Sequence, residues 1–503
     1  MRYSAILVSV QLLLCASASA RDRGELLQYS HPLFTLQYGQ NNTVSTLSTL
    51  PFPVAGEAIV AFDYAEDKTR LSYEGDKQTR YGFHTNGFSA ANDKSIMRGS
   101  ASYHRASRQN TKWSNVVDVP MLYPYLVADS IGGTYHSETY QLSGGWATKR
   151  NAFTFGADLR YEGSVHYRKS DPRPRNTVSE FTIRPSVLFK HRTLGFAADL
   201  GYTSYKQDVR IKVEESGRTD LFYQTLGMGL YDHAFSRKAN TFSSYYNGHV
   251  MDARLQLFDL SNHQYGVSLA FEHTNMDNEQ DGGVRIPYFT RNNTFSADGY
   301  YLFKLAKGVS LAVNPSFAFS QRSGYERIYE QLKPEGSDIT TWRELSVGKK
   351  HTMNSYNGSV NALLSIARGN NNYWVQLHAA SSGTKETYLH PRYTRNFDAL
   401  QSGLKTGLLR RMRSNWLRLE MEASYTIRNS NLEAIASEDV LLGAMVQENH
   451  RILSADFFHL GANASFAHPA GSFMLQYKAA ASVIKAQQQQ ATPAVTSTIS
   501  FIF

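Results

Sequence analysis

The chain has 503 residues, with 52 Lys and Arg against 43 Asp and Glu, a formal net charge of +9, 31 Tyr and 27 Phe. Its only cysteine is Cys15, which excludes a disulfide framework, a Cys-ligated zinc and a Cys nucleophile from the rest of the chain. Basic residues are scattered among acidic ones rather than gathered in a run, so we expect no nucleic-acid binding.

The N-terminus has the pattern of a secretory signal peptide. An apolar run from Ala5 to Leu14 follows Arg2, and Ala18-Ser19-Ala20 fits the small-x-small cleavage pattern. We therefore predict a signal peptide over residues 1–20. Residues 21–55 are polar and are expected to form either a periplasmic tail or a short segment inserted in a lumen. They are too few for the folded plug of an energised transporter.

From residue 56 onwards, long stretches alternate apolar and polar residues. The stretch "AFTFGADLRYEGSVHY" at 152–167 does so at every position, and the alternation recurs at 309–319 and 417–428. A period of two predicts β-strands. These runs of roughly 10 to 18 residues exceed the usual five or six of globular strands. No apolar stretch is long enough for a membrane helix, which leaves a soluble all-β protein or an outer-membrane barrel.

Short and long connections alternate between the predicted strands. This is typical of a barrel with short periplasmic turns and long extracellular loops. We predict an all-β chain in which residues 56–503 form a single transmembrane antiparallel β-barrel of about 18 strands, within a range of 16 to 20. The short turns are at 91–94, 149–151, 191–193, 260–263, 306–308, 369–372, 411–414 and 468–471. The longer connections are at 107–133, 169–177, 213–240, 276–292, 323–348, 386–395, 429–447 and 486–493.

The last strand, "VTSTISFIF", places alternate apolar residues on one face and ends on Phe503. In a soluble protein such an edge would invite aggregation, whereas in a barrel it pairs with the first strand. The ending resembles the signal that the bacterial barrel-assembly machinery reads, so that machinery is an expected partner together with outer-membrane lipid. Six residues are predicted to face the membrane: Phe153, Phe155, Leu159, Tyr161, Phe501 and Phe503.

Several segments are similar to a family of Bacteroidota outer-membrane β-barrel proteins that has no assigned function. The resemblance covers the first half of the mature chain well and the second half only through its strand pattern. It implies a barrel in the outer membrane and brings no catalytic residues. The segments are "YGFHTNGF" at 81, "GSASYHR" at 99, "KWSNVVD" at 112, "LYPYLVADSIGG" at 122, "ETYQLSGGW" at 138, "HYRKSDPRPRNTVSEF" at 166 and "GLYDHAFS" at 229.

Charged residues on the polar faces of the strands are predicted to line the lumen. Mixed signs on one wall can create a transverse field that orients polar solutes in a water-filled pore. The competing interpretation is a salt-bridge network that holds a narrow or plugged lumen, and the sequence leaves both open. The predicted pore-wall residues are Asp158, Arg160, Glu162, Asp199, Arg418, Glu420, Glu422 and Arg428.

Two loop regions are candidates for ligand binding. In Asp171–Asn176, Arg173 and Arg175 are flanked by prolines and could present a fixed fork to a carboxylate, phosphate or sulfate, or the prolines could simply stiffen a hairpin. In 113–129, Trp113, Tyr123 and Tyr125 could stack against a sugar or pack one loop against the next.

No enzyme motif is present. The chain lacks His-Glu-x-x-His and a phosphate-binding loop, and none of its 16 histidines has Ser two residues later. An acid protease of barrel type would need Asp and His pairs brought together at the loop rim, which sequence does not address. We predict no enzyme, no catalytic residue, no metal and no cofactor.

Two functions fit these patterns. The first is a passive or solute-selective pore with a charged lumen, for small polar solutes, in the outer membrane of a Gram-negative envelope. The alternative is a non-conducting barrel that displays loops 107–133, 213–240 and 323–348 to a surface lipoprotein or a nutrient transporter.

Overall fold

The computed structural model describes residues 31–38, 43–51, 54–67, 70–90, 94–280, 284–332, 341–432, 437–487 and 491–503. The predicted signal peptide 1–20 lies outside the described residues. So do parts of the predicted segment 21–55, of the turn 91–94, and of the loops 276–292, 323–348, 429–447 and 486–493.

Strands dominate the described chain because its alternating sequence gives each one an apolar face and a polar face. Among the described residues, helix α1 Pro32–Tyr38 and the 3-10 helix Thr46–Thr49 precede the first strand, and helices α2 Val119–Leu122 and α3 Val440–Ser454 lie between strands. The strands are β1 Val54–Glu66, β2 Lys77–Ser89, β3 Ser95–Thr111, β4 Val127–Ala128, β5 Gly133–Arg150, β6 Phe153–Arg168, β7 Arg173–His191, β8 Leu194–Lys212, β9 Asp220–Gly227, β10 Leu230–Tyr231, β11 Arg237–Ala239, β12 Thr241–Asp259, β13 Tyr265–Gln280, β14 Arg285–Ala306, β15 Val309–Leu332, β16 Thr341–Arg368, β17 Asn371–Tyr388, β18 Tyr393–Met412, β19 Asn415–Leu432, β20 Phe457–Ala470, β21 Phe473–Ala486 and β22 Thr492–Ile502.

The described residues form a closed antiparallel barrel of 18 strands, which confirms the predicted fold class. Each wall strand pairs with its neighbours in chain order, with β8 followed by β12. The first strand closes the sheet by pairing with the second and with the last, so that Phe62 lies opposite both Tyr81 and Ser497. Closure leaves no exposed sheet edge along β22. β4, β9, β10 and β11 form a separate small sheet.

The two ends of the barrel differ, as the alternation of short and long connections predicts. The short-turn end has tight turns, with Asn151, Arg192 and Gly308 in the left-handed backbone region that such turns need. The opposite end, which we call the long-loop end, carries residues 112–132, 213–240 and 437–456. The predicted loops 276–292 and 323–348 are largely strand here, because β13 to β16 continue well past their predicted ends.

Apolar side chains cover much of the outer wall. On β6 the odd positions Phe153, Phe155, Leu159 and Tyr161 are between 42% and 48% exposed, while the even position Asp158 is buried. Phe501 and Phe503 at the C-terminus are half-buried, and Phe473 contacts both rings. None of the helices among the described residues has the length and apolar character that a membrane crossing requires.

Candidate functional site: the barrel interior

Residues 112–132, the connection between β3 and β5, fold into the barrel, and we call them the crossing loop. Val116, Leu122 and Val127 of this loop are at most 7% exposed and belong to one apolar cluster with Val209 and Tyr246. Val209 lies on the inward face of β8, whereas its neighbour Arg210 faces outward. The crossing loop therefore fills the interior at the long-loop end rather than extending into solvent.

The crossing loop reaches the opposite wall. Tyr123 donates a hydrogen bond to Glu386 on β17, and Arg322 on β15 donates to the carbonyl of Tyr123 at 3.1 Å. In the 18-strand order, β16 and β17 stand half a circuit from β3 and β5. Burial raises the pKa of Tyr123 well above its usual range, so its hydroxyl stays protonated and serves as a donor.

Glu386 is the centre of a buried charge cluster. Its carboxylate contacts His351 Nε2 at 2.7 Å and Arg395 Nε at 2.5 Å, and the Glu386 and His351 side chains are at most 2% exposed. Arg395 also donates to the Tyr123 hydroxyl at 3.0 Å. A charge this deep is tolerated only when it is paired and hydrogen-bonded. The cluster therefore fixes the tip of the crossing loop to β16, β17 and β18.

A second layer covers the crossing loop. It consists of residues 213–240 and helix α3, which we call the cap. Tyr223 donates to Asp439 at 3.0 Å, and Asp439 caps α3 by accepting from the backbone amides of Leu441 and Leu442. Burial, followed by the bond to Asp439, raises the pKa of Tyr223. Trp113 of the crossing loop lies against the Tyr223 ring, at 5.7 Å between centroids.

At the short-turn end the interior holds residues 31–38 and 43–51, which we call the inner segment. The backbone amide of Val44 donates to Asp158 at 3.0 Å, and Val44 is fully buried. Across the barrel, His31 packs edge-on against Trp374 at 4.8 Å. A Cβ on Gly156 would lie 2.6 Å from Val44, so the glycine allows this close approach. The inner segment thus contacts walls on both sides of the lumen.

A polar chamber lies between the inner segment and the crossing loop. Its volume is about 540 Å³, and it is lined by Leu47 of the inner segment and by Thr203 on β8. Tyr205, two residues further along the same strand, donates to Asp118 of the crossing loop at 2.9 Å. Eight charged residues also line it: Arg98, Asp158, Arg160, Glu180, Arg184, Asp252, Arg254 and Glu272.

Ion pairs neutralise much of this wall. Asp158 binds Arg98 at 2.7 Å, and Arg184 binds both Asp199 and Asp252 at 2.5 Å. Both predicted carboxylates are less than a tenth exposed. Of the two sequence interpretations, the contacts of Asp158 and Asp199 correspond to a salt-bridge network.

The other predicted wall residues also contact polar or charged groups. Arg160 and Glu162 pair at 2.9 Å, and Glu420 pairs with Arg418 at 2.7 Å and with Lys405 at 3.4 Å. Glu422 lies beside His459 at 3.6 Å in a second polar cavity of about 270 Å³. Arg428 lies nearer the long-loop end, where it donates to the carbonyl of Ile452 in α3 at 3.2 Å.

The loop candidates separate into two places. Trp113, Tyr123 and Tyr125 lie in the crossing loop, where Tyr125 is only 1% exposed and stacks on Tyr288 at 4.9 Å. Arg173 and Arg175, by contrast, are the first residues of β7 and face outward. The structure therefore brings the aromatic candidates into the interior and leaves the arginines on the outer surface.

Sequence reasoning did not identify Glu386, His351, Arg395 or Arg184. The sequence predicts a loop at 386–395, but Glu386 is still part of β17. It lies on the inward face of this strand, as Trp374 does. Following the alternation past the predicted turn would have placed it inside the barrel. Within the described ranges, no group of three His, Cys, Asp or Glu could hold a metal ion.

Comparison with solved structures finds outer-membrane barrels with little sequence in common. BauA, the ferric preacinetobactin receptor from Acinetobacter baumannii, is 9% identical, with 90% of this chain and 80% of that chain covered and a TM-score of 0.41. YddB, an outer membrane transporter from Escherichia coli, is 9% identical, with 89% and 80% covered and a TM-score of 0.39.

PfeA, the ferric enterobactin receptor from Pseudomonas aeruginosa, has a similar TM-score of 0.38. It is 9% identical, with 90% of this chain and 80% of that chain covered. Among curated proteins no sequence matches. One family model matches residues 45–503, which include the whole barrel wall from β1 to β22. The chain therefore belongs to the family of unknown function DUF6850.

Proposed function

We propose that the protein is a gated, solute-selective pore in the outer membrane of a Gram-negative bacterium, closed at rest by the inner segment. The observation that carries this proposal is the bond between Asp158 and the Val44 amide. It joins a charged residue of the chamber wall to the segment that occupies the short-turn end. Small polar solutes are the expected cargo because eight charged side chains line the chamber.

The outer-membrane location rests on the two faces of the wall. Outward side chains such as Leu200, Leu255 and Leu377 are between 59% and 63% exposed. A soluble protein rarely exposes an apolar surface that continues around the whole molecule, whereas a closed barrel in lipid needs one. The short-turn end would then face the periplasm and the long-loop end the exterior.

Planar-bilayer conductance of the refolded mature protein tests the gate. We expect the wild-type protein to be silent most of the time and Asp158→Asn to open more often, because a neutral amide binds the Val44 amide and Arg98 less strongly. Removal of residues 31–51 should give long-lived open channels. A deletion variant that folds but stays electrically silent would overturn the proposal.

The matched control is Glu344→Gln, which removes one carboxylate from an exposed pair with Arg327 at 3.5 Å on the outer part of β16. Its opening frequency should equal that of the wild type. In channels opened by the deletion, Glu420→Lys should shift the reversal potential, since Glu420 lies on the inner wall.

A second candidate, a non-conducting barrel that binds a surface partner, is favoured by one feature. Residues 325–332 of β15 and 341–349 of β16 form a hairpin that continues beyond their neighbours, since pairing with β14 ends at Glu326 and pairing with β17 begins at His351. Leu345 and Val347 on this hairpin are 55% and 50% exposed.

Of the three loops proposed to display a binding surface, 107–133, 213–240 and 323–348, the third contains this hairpin and projects beyond the wall. Affinity isolation from solubilised envelopes should recover a stoichiometric partner that is lost in the double variant Leu345→Ser and Val347→Ser. If the barrel purifies alone with and without these substitutions, this candidate loses its basis.

A further inference from the structure

The outer face of β7 and β8 carries a group of four cations that neither the pore nor the partner hypothesis uses. Arg173 and Arg175 on β7, and Arg210 and Lys212 on β8, are all exposed, while the residues that alternate with them are buried. Pro174 and Asn176 thus point inward, and the four cations point away from the barrel. We call them the cationic square.

The register of these strands sets like charges directly opposite one another. Arg173 pairs with Lys212, and Arg175 pairs with Arg210. Side chains opposite each other in an antiparallel pair have Cβ atoms about 4.5–5.5 Å apart, and like charges there are destabilising. Two such pairs in succession concentrate positive charge on this part of the outer face, where an anion would relieve the repulsion.

Three of the four cations have a carboxylate partner. Asp171 binds Arg173 at 2.7 Å, Asp208 binds Arg210 at 2.7 Å and Glu214 binds Lys212 at 2.9 Å. Each of these acids lies at the edge of the group, in a flanking loop or one strand position below it. Among the described residues no ion pair involves Arg175.

The surroundings of the square fit a lipid. Below it on the same strands, Phe181, Ile183 and Leu200 face outward and are 44%, 41% and 62% exposed. On the other side of Arg175 lies Tyr167 of β6, whose phenol also faces outward. A molecule with acyl chains on the apolar residues and a phosphate between the arginines would contact both surfaces at once.

We propose that the cationic square binds the phosphate of a phosphorylated lipid in the membrane leaflet at the long-loop end. Arg175 and Arg210 hold the phosphate oxygens through charge-assisted hydrogen bonds, which are stronger than neutral ones, and Tyr167 lies beside the headgroup. Since this rests on the proposed membrane location but not on conductance, a failure of the pore hypothesis would leave it intact.

Thermal unfolding of the full mature chain in phosphate-free detergent tests the site. Bisphosphorylated lipid A should raise the midpoint of the wild-type protein more than the same glycolipid without phosphates. In the double variant Arg175→Gln and Arg210→Gln this difference should fall by about two-fold or more. Without lipid, the double variant should unfold at a higher temperature than the wild type, because the like-charge pair is gone.

The control removes two outward cations whose cross-strand partners are uncharged. Arg291 lies opposite Asn275 and Ser323, and Lys385 lies opposite Asn354 and Asn396. Arg291→Gln with Lys385→Gln should retain the full response to lipid phosphate. Equal shifts from the phosphorylated and dephosphorylated lipids, or equal shifts in the square variant and the wild type, would overturn the proposal. A full shift from inorganic phosphate alone would also overturn it, since the ligand would then be a free anion.

Discussion

The two ends of the barrel interior are filled by different kinds of packing. At the long-loop end the crossing loop and cap share a cluster of 14 buried apolar residues with the wall, and two groups of buried charges lie beside it, around Glu386 and between Arg168 and Asp129. At the short-turn end the inner segment contributes Val44 and Leu47 to a cluster of four buried residues, and its partly buried Leu33 and Leu36 pack against a second cluster formed by the wall. The wall itself has the same construction at both ends.

This difference assigns different roles to the two closures. The crossing loop is part of the folded core, since releasing it would expose apolar surface and leave several charges unpaired. The inner segment buries fewer apolar residues of its own and is held by single contacts such as the bond of Val44 to Asp158, so we expect it to leave the barrel at a lower cost than the crossing loop. Under the proposed function, the gate would therefore lie at the short-turn end, and the crossing loop and cap would stay in place at the long-loop end.

The largest effect is expected from Glu386→Gln. The substitution removes the buried carboxylate that both Arg395 and His351 contact. Removing one member of a buried charge group typically costs about 3–5 kcal/mol, so the free energy of unfolding in denaturant should fall by that order. Glu330→Gln, which breaks the exposed pair with Arg343, should cost less than about 1 kcal/mol. Equal losses in the two variants would mean that the buried cluster around Glu386 holds the crossing loop no more firmly than an exposed ion pair would.

Tyr123→Phe should have the next largest effect. It keeps the aromatic ring but removes the hydroxyl that donates to Glu386 and accepts from Arg395. Hydrogen bonds to charged groups contribute about 1.5–3 kcal/mol, and unfolding should become easier by that amount. Tyr325→Phe, on the outer wall where Tyr325 stacks on Phe289, is the control. A Tyr123→Phe protein as stable as this control would mean that the tip of the crossing loop is not anchored.

The barrel was predictable because every wall strand obeys one physical rule. Outward and interior positions alternate, so Phe153 and Leu159 can be assigned to one face and Asp158 to the other from the sequence alone. Closure followed from the apolar last strand, whose pairing with β1 the structure confirms. The predicted strand ends are less accurate, because β15 and β16 continue beyond the residues where they pair with β14 and β17.

The interior was not predictable in the same way. Tyr125 could lie in solvent or against the opposite wall. It stacks on Tyr288 only because of the way in which a loop of 21 residues folds across the barrel interior. Nothing local in "LYPYLVADS" specifies that path. Glu386 was missed for a related reason: its partners His351 and Arg395 come from neighbouring strands, and the third, Tyr123, is 263 residues away. Such contacts depend on tertiary structure rather than on sequence period.

A smaller and more local effect is expected from Gly156→Ala. The added Cβ would approach Val44 Cγ1 to 2.6 Å and Ala147 to 3.0 Å, so the inner segment must shift. Limited proteolysis within residues 43–51 should become about tenfold faster, since proteolysis tracks the population of the open form. The unfolding free energy of the whole barrel should change by less than about 1 kcal/mol. Gly144→Ala is the matched control, because nothing lies within 4 Å of its added Cβ. Equal cleavage of the two variants would contradict a weakly held inner segment.

The smallest effect is expected in α3 of the cap, where Arg451 hydrogen-bonds Glu448 at 2.6 Å and 2.9 Å. This contact lowers the pKa of Glu448 below its ordinary value of 4.5. A lowered pKa means that the pair stabilises the folded helix above pH 4.5 and that this stabilisation is lost as the pH falls through the lowered value. Both side chains are half exposed, so the contribution should stay below about 0.5 kcal/mol. Hydrogen exchange of the α3 amides should therefore differ slightly between wild type and Arg451→Gln at about pH 6, and should coincide at about pH 3. A large difference at the higher pH would mean that the outermost layer of the cap depends on its surface charges, and the long-loop end would then be less firmly closed than its buried clusters indicate.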